Sequence, residues 1–287
     1  MSPKRRFGDF ALQYTHSESS KIVLVPVPFD GTSTYMKGAD KGPEAILRAS
    51  PNLEFYDIQT DSEAYTEGIY TDSSIAGFKK PEPMAKAVCK RVAGHISKGK
   101  FVVVLGGEHS VSIGAIQAQA KANKNLTVLQ LDAHSDLRDE YDGIRYNHAC
   151  VMARVKEICP IVQVGIRSMD IGEKKNMDRE RVFFAHDICD GQNRKWIDRC
   201  VGLLTGNVYI TIDLDVFDPS VLPATGTPEP GGMGWYDVLA LMKTVFRLRN
   251  VVGFDVVELC PRKEHWGSDF LAAKLVYSLL TYKFRLK

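Results

Sequence analysis

The sequence has almost no net charge. Lys and Arg number 37 and Asp and Glu 35, a formal +2 over 287 residues. That near-balance argues against a basic nucleic-acid binder and against an acidic disordered chain. Long apolar runs are missing too: nothing approaches the roughly eighteen residues of a membrane span, so no membrane partner is expected. The start, Met1-Ser-Pro-Lys-Arg-Arg6, is basic, but Phe7-Gly8-Asp9 follows where a signal peptide would place an apolar stretch. Cysteine is sparse and unpatterned. Six are spread over positions 89 to 260, none in Cys-x-x-Cys spacing. A chain of this length needs no disulfide staples, so reduced thiols in a cytoplasmic protein are expected, most of them acting as small buried hydrophobes. Repeats, low-complexity segments and linkers are absent, and 23 Gly and 13 Pro are ordinary counts. Chains of about 300 residues bury roughly three-quarters of their unfolded surface. One core is enough, and residues 1–287 read as a single domain.

What is present is a series of short apolar runs. Ile22–Pro28, Phe101–Leu105, Thr127–Asp132, Ile161–Gly165, Val182–Ala185, Asn207–Asp213 and Val251–Val256 read as strands, with Gly68–Tyr70 as a further candidate. Most lack polar alternation, as strands do when both sheet faces are covered. Pro83–Ser97, Ser110–Ala122, Tyr236–Phe246 and Ser268–Tyr282 read as helices, Ser110 as a cap, the last two each preceded by glycine and a turn. Strand alternating with helix implies an α/β chain: a parallel sheet with helices on both faces. The long connections 135–147 and 218–234 follow strand ends, where open α/β sheets bind ligands.

Three strand ends carry polar clusters: Gly106-Gly107-Glu108-His109-Ser110, Asp132-Ala133-His134-Ser135-Asp136 and Asp213-Leu214-Asp215-Val216-Phe217-Asp218-Pro219. Residues i and i+2 of a strand share a face, so Asp132 can converge with His134 and Asp213 with Asp215. Singly, each Asp reads as a helix cap and each His as a hydrogen-bonded core or surface residue. Together, four carboxylates and two imidazoles at buried strand ends need a compensating cation or large pKa shifts. The donor set is oxygen-rich and without thiolate, which favours Mn²⁺ over structural zinc, with Mg²⁺, Co²⁺ or Fe²⁺ possible. Six groups suit two ions better than one ion that must keep an open position.

These clusters resemble the three signatures of the ureohydrolases, the arginase and agmatinase family. Pro28-Phe29-Asp30-Gly31-Thr32-Ser33, Gly42-Pro43-Glu44-Ala45-Ile46, Thr225–Gly232 and Asp255-Val256-Val257-Glu258-Leu259 are similar to the family's other motifs, so the resemblance covers nearly the whole chain. It implies a three-layer α/β/α fold with a parallel sheet of about eight strands. It implies that His109, Asp132, Asp136 and Asp213 hold one Mn²⁺, and His134, Asp132, Asp213 and Asp215 a second. A hydroxide shared by the ions, oriented by Asp136, would attack a guanidinium carbon. Glu258 would anchor the guanidinium and His148, an imidazole titrating near neutrality, would relay protons to the leaving amine. Two departures stand out: Glu108 sits where the family often has Asp, and Cys260 where Asn is expected.

The loop Leu137-Arg138-Asp139-Glu140-Tyr141-Asp142-Gly143-Ile144-Arg145-Tyr146-Asn147 is similar to that of agmatinases and unlike the Asn- and Ser/Thr-rich loop of arginases. Agmatine is therefore the expected substrate, giving putrescine and urea in a polyamine-forming step. The loop's acids suit a dication, although Arg138 and Arg145 partly cancel them and such a run reads equally as a solvated face. Guanidinobutyrate, formiminoglutamate and arginine hydrolysis are the alternatives, with a non-catalytic metal-bound scaffold behind them. Family members usually form trimers or hexamers, so a homo-oligomer is expected.

Overall fold

The computed structural model describes residues 5–189 and 194–286; the first four residues of the basic start, Met1–Lys4, lie outside them. Eight strands form one sheet: β1 (Ile22–Val27), β2 (Ile69–Thr71), β3 (Phe101–Gly106), β4 (Leu126–Leu131), β5 (Ile161–Ile166), β6 (Val182–Phe184), β7 (Asn207–Asp213) and β8 (Asn250–Val257). Every pairing is parallel, in the order β2-β1-β3-β8-β7-β4-β5-β6. All eight expected strands are present. The edge strands β2 and β6 have three residues each, the short form that limits edge-to-edge pairing.

Strand alternation builds two cores. Ile22, Leu24, Val103, Leu105, Ile210 and Ile212 point to one face. There they pack against α1 (Gly42–Ala49), α6 (Lys195–Gly202), α7 (Trp235–Leu248) and α8 (Trp266–Arg285). Val23, Val25, Val102, Val104 and Val128 point to the other face and meet α2 (Pro81–Ile96), α3 (Val111–Ala122) and α4 (Val151–Lys156). Each such side chain contributes about 1.5–3 kcal/mol on full burial. The remaining helix, α5 (Ala185–Ile188), is one turn.

The four expected helices correspond to α2, α3, α7 and α8, with two local corrections. Ser110 makes no cap bond; its hydroxyl donates to Glu108 instead. Helix α8 starts at Trp266, so Gly267 lies inside its first turn rather than before it. All six cysteines are free thiols. Burial pushes Cys150 and Cys200 up to about 12 and Cys159 up to about 11, so they are poor nucleophiles. Among the described residues no helix is long and apolar enough to cross a membrane. Beyond β2, Asp72 accepts from Arg91 Nη1 and pairs with His95 Nε2, both at 2.8 Å, tying the edge strand to α2.

The chain order matters for the site. From β3 the chain passes over the places of β8 and β7 and resumes at β4; the last strands fill the gap. The four central strands therefore end side by side. Leu105 pairs with Val256, Asp213 with Val257 and Leu131 with Ile212. Each carries one of the polar clusters or Glu258 at its carboxyl end.

Candidate functional site

Just below the strand ends, a buried polar row crosses the sheet. Register places Gln163 (β5) beside Gln130 (β4), Gln130 beside Thr211 (β7) and Thr211 beside Asp255 (β8). Gln163 Nε2 donates to Gln130 Oε1 at 2.6 Å, and Gln130 Nε2 donates to Asp132 Oδ2 at 2.7 Å. The Thr211 hydroxyl donates to Asp255 Oδ1 at 2.7 Å, and Tyr209 donates to Asp255 Oδ2 at 2.8 Å. His109 Nε2 lies 2.9 Å from the Thr211 oxygen. With the threonine proton given to the carboxylate, His109 donates its Nε2 proton there, and Nδ1 is the nitrogen left to hold either a proton or a cation.

That Nδ1 faces three carboxylates: Asp136 Oδ2 at 3.0 Å, Asp132 Oδ2 at 3.1 Å and Asp213 Oδ2 at 3.4 Å. It is buried and has no hydrogen-bond partner. On the other side of Asp132, His134 Nδ1 lies 2.9 Å from Asp215 Oδ2 and 3.6 Å from Asp132 Oδ1. Backbone N–H groups fix the acids: His134 N–H donates to Asp132, Ala133 N–H to Asp215 and Asp215 N–H to Asp213. Two ligand triads result, His109-Asp132-Asp213 and Asp132-His134-Asp215, with donor atoms within 4.8 Å of one another and Asp132 common to both. All six residues proposed as ligands from the sequence come together.

Charge crowding shifts their titrations. Burial, with the Asp132 carboxylate, pushes Asp136 up to about 7. Burial, then Asp215 and Asp132, pushes Asp213 well above the carboxylate range. Burial and Glu108 do the same to Glu258. Burial opposes charge on His134, yet Asp215 and Asp132 push it up to about 12, and Asp132 and Asp136 carry His109 well above its usual value. Such a cluster retains protons where cations would otherwise sit. The unpartnered His109 Nδ1 and the shared carboxylate fit a pair of divalent ions.

The two remaining site residues lie on the same cavity, about 300 Å³ in volume. Glu258 has a left-handed backbone (φ 64°), as does Asp136 (φ 53°), a conformation that costs about 1–3 kcal/mol and persists where surrounding contacts impose it. Glu258 N–H donates to Gly107 O at 2.8 Å, and its carboxylate accepts the His109 N–H at 2.7 Å. Gly107 admits no side chain, because a Cβ would stand 2.0 Å from Phe29 O. His148 opens a short turn capped by Asn147 and meets Tyr141 edge-on. It is not the near-neutral imidazole expected from the sequence. Burial, with positive charge on His109 and His134, brings it down to about 4, so it stands neutral at physiological pH.

The acidic loop is also placed differently. Asp139, Glu140 and Asp142 are exposed, whereas Arg138 and Tyr141 line the cavity. The acids on that wall are Asp170 and Glu173, which the sequence reading missed. Arg138 lies over the Tyr141 ring at 4.6 Å and 3.4 Å from Glu173. Asp170 and Glu173 form a capping box in the loop after β5, a local pattern in the sequence, and the fold joins it to the second strand-end cluster, where the Ser135 hydroxyl donates to Glu173.

The arginase family profile matches residues 20–281. The chain is 38% identical to the N(1)-aminopropylagmatine ureohydrolase of Synechocystis sp., covering 98% of this chain and 97% of that one. It is 31% identical to the agmatinase of Pyrococcus horikoshii, covering 96% of each. Among solved structures it matches the agmatine ureohydrolase of Thermoplasma volcanium with a TM-score of 0.84 and 33% identity, over 93% of this chain and 91% of that one.

Proposed function

The chain belongs to the arginase family of ureohydrolases, hydrolases of amidine C–N bonds, and on that footing we propose that it cleaves the guanidinium group of agmatine to putrescine and urea. The observation that carries this reading is the pair of His/Asp triads sharing Asp132, on a cavity that Glu258 and His148 also line. His109, Asp132, Asp136 and Asp213 would hold one Mn²⁺, and His134, Asp132, Asp213 and Asp215 the other. Bound there, the pair supplies a water nucleophile acidified to near-neutral pH and positive charge against the oxyanion of attack.

The protein's own groups do the rest. Glu258 offers a carboxylate to the guanidinium, a charge-assisted contact that fixes the carbon in place. Asp136, with one oxygen turned toward His109, has a second to orient the nucleophile. Neutral His148 accepts a proton at its cavity-facing nitrogen and returns it to the departing amine, which must leave protonated. Asp170 and Glu173, partly balanced by Arg138, give the outer wall the sign that suits a cationic tail.

A second substrate, N(1)-aminopropylagmatine, is favoured by the name of the Synechocystis relative. It presents the same guanidinium and a longer cationic tail. A urea-release panel with Mn²⁺-loaded protein tests both. Agmatine or its aminopropyl derivative should give the highest kcat/KM; equal or better turnover of guanidinobutyrate or arginine overturns the proposal. Full metal loading with no urea from any guanidine would instead support the scaffold reading.

A further inference from the structure

Three loops that are distant in sequence meet at one hydroxyl. Thr32, in the loop after β1, is buried. Its oxygen lies 2.9 Å from Glu108 Oε1 and 3.1 Å from His148 Nδ1, and it accepts the His148 backbone N–H at 3.0 Å. Glu108 is fully buried and also takes the Ser110 N–H at 2.7 Å on Oε2 and the Ser110 hydroxyl at 2.9 Å on Oε1. None of these roles follows from the ligand set.

We propose that Thr32 and Glu108 are positioning residues that lock His148 in the Nδ1-protonated tautomer, leaving Nε2 as the bare nitrogen on the cavity side. The argument is a count of protons. A hydroxyl has one proton and two lone pairs. Thr32 Oγ1 stands closer to Glu108 Oε1, at 2.9 Å, than to His148 Nδ1, at 3.1 Å, and donates its proton to Glu108. One lone pair takes the His148 backbone N–H. The other can only accept, and the atom beside it is His148 Nδ1, so that nitrogen carries the proton. An imidazole takes the tautomer that the hydrogen bond at its other nitrogen imposes. Ring orientation follows as well, because backbone N–H and ring nitrogen are held by the same atom.

The inference rests on the proposed function only for its kinetic arm, so two readouts are paired. The first is the tautomer itself. It is read by NMR of ¹⁵N-histidine-labelled protein loaded with a diamagnetic divalent ion, with His148 assigned by the loss of its signals in His148→Asn. Wild type should show protonated Nδ1. Thr32→Val removes the acceptor and should release the lock. Glu108→Gln should reverse it: the Ser110 N–H keeps the amide oxygen on its side, the amide NH₂ then points at Thr32, and the threonine proton turns to Nδ1. Thr32→Ser should keep the wild-type pattern. In urea release, Thr32→Val should lower kcat about 10–100-fold, part of the roughly 10²–10⁴ attributable to general acid–base catalysis. KM and metal content should stay near wild type, and Thr32→Ser should restore kcat. Wild type protonated at Nε2, or an unchanged tautomer in both Thr32→Val and Glu108→Gln, overturns the proposal. So does recovery of kcat by Val but not Ser, which would mark a packing role for the methyl group. If no guanidine is hydrolysed while the tautomers behave as stated, the functional reading fails and the lock stands.

Discussion

Thr211→Val probes the floor of the site without replacing a proposed ligand. Valine matches threonine in shape, so the volume filled at this fully buried position is kept and the change is confined to the hydroxyl. Three polar groups lose a partner: the His109 Nε2 proton, 2.9 Å from the missing oxygen, Asp255 Oδ1, 2.7 Å from it, and the Ser112 hydroxyl, 3.3 Å from it. An unsatisfied buried group costs about 1–3 kcal/mol. His109 can avoid part of this by moving its proton to Nδ1, where the Asp136, Asp132 and Asp213 oxygens accept it. That proton then occupies the lone pair a cation needs. Loss of such an outer hydrogen bond typically weakens metal binding by about 10–100-fold, or about 1.4–2.7 kcal/mol. Calorimetric titration of metal-free protein with Mn²⁺ measures it. The site built on His109 should weaken by that factor, and the His134 site much less. Thr211→Ser, which keeps the hydroxyl, should bind as wild type does. A valine variant that folds and binds both ions within twofold of wild type refutes the chain of reasoning from Asp255 through Thr211 to His109.

Asp132→Ala should reduce metal content at both positions, because its carboxylate belongs to both triads; mass spectrometry of the dialysed protein showing one full site would contradict a bridging role. His148→Ala should lower kcat by about 10²-fold or more with metal content intact, and loss of metal in that variant would move His148 into the ligand set. Asp72→Asn should destabilise the protein by about 1 kcal/mol at neutral pH, after discount for solvent screening. Burial alone would raise the Asp72 pKa, but hydrogen bonds from His95 and Arg91 hold it down to about 2. The contribution is therefore present above the unfolded value of 3.8 and lost as pH falls through about 2. Denaturation midpoints of wild type and variant should converge in that window; a gap that stays constant below pH 2 rejects the assignment.

Much of this was legible in the sequence because it depended on periodicity. Unbroken runs of Val, Ile and Leu announce strands covered on both faces, and the clusters at their ends stand out against them. The short helices were harder. Helix α4 has six residues and α5 four, too few turns for a 3.6-residue pattern. Helix α1 did carry a signal, Pro43 in its first turn, submerged in a motif quoted for other reasons. The polar row was visible as Gln130, Gln163, Thr211 and Asp255 inside apolar strands, but only register shows that they are neighbours. Thr32 and Glu108 meet through tertiary contact over 76 residues, which no local pattern encodes. The titration of His148 depends on burial, and burial is a property of the assembled fold.

The sheet order also has a consequence for biosynthesis. When β1 to β6 have left the ribosome, β3 and β4 each have a strand edge without its eventual neighbour, because β7 and β8 have not yet been made. Open edges template unwanted pairing, and contacts that span long loops form slowly. The carboxylates of Asp132 and Asp136 must wait with them, since Asp213, Asp215 and Glu258 arrive on the last two strands. Insertion of those strands closes the sheet and completes the proposed site in one event. The nascent chain therefore gains its activity only at the moment it loses its most adhesive surface.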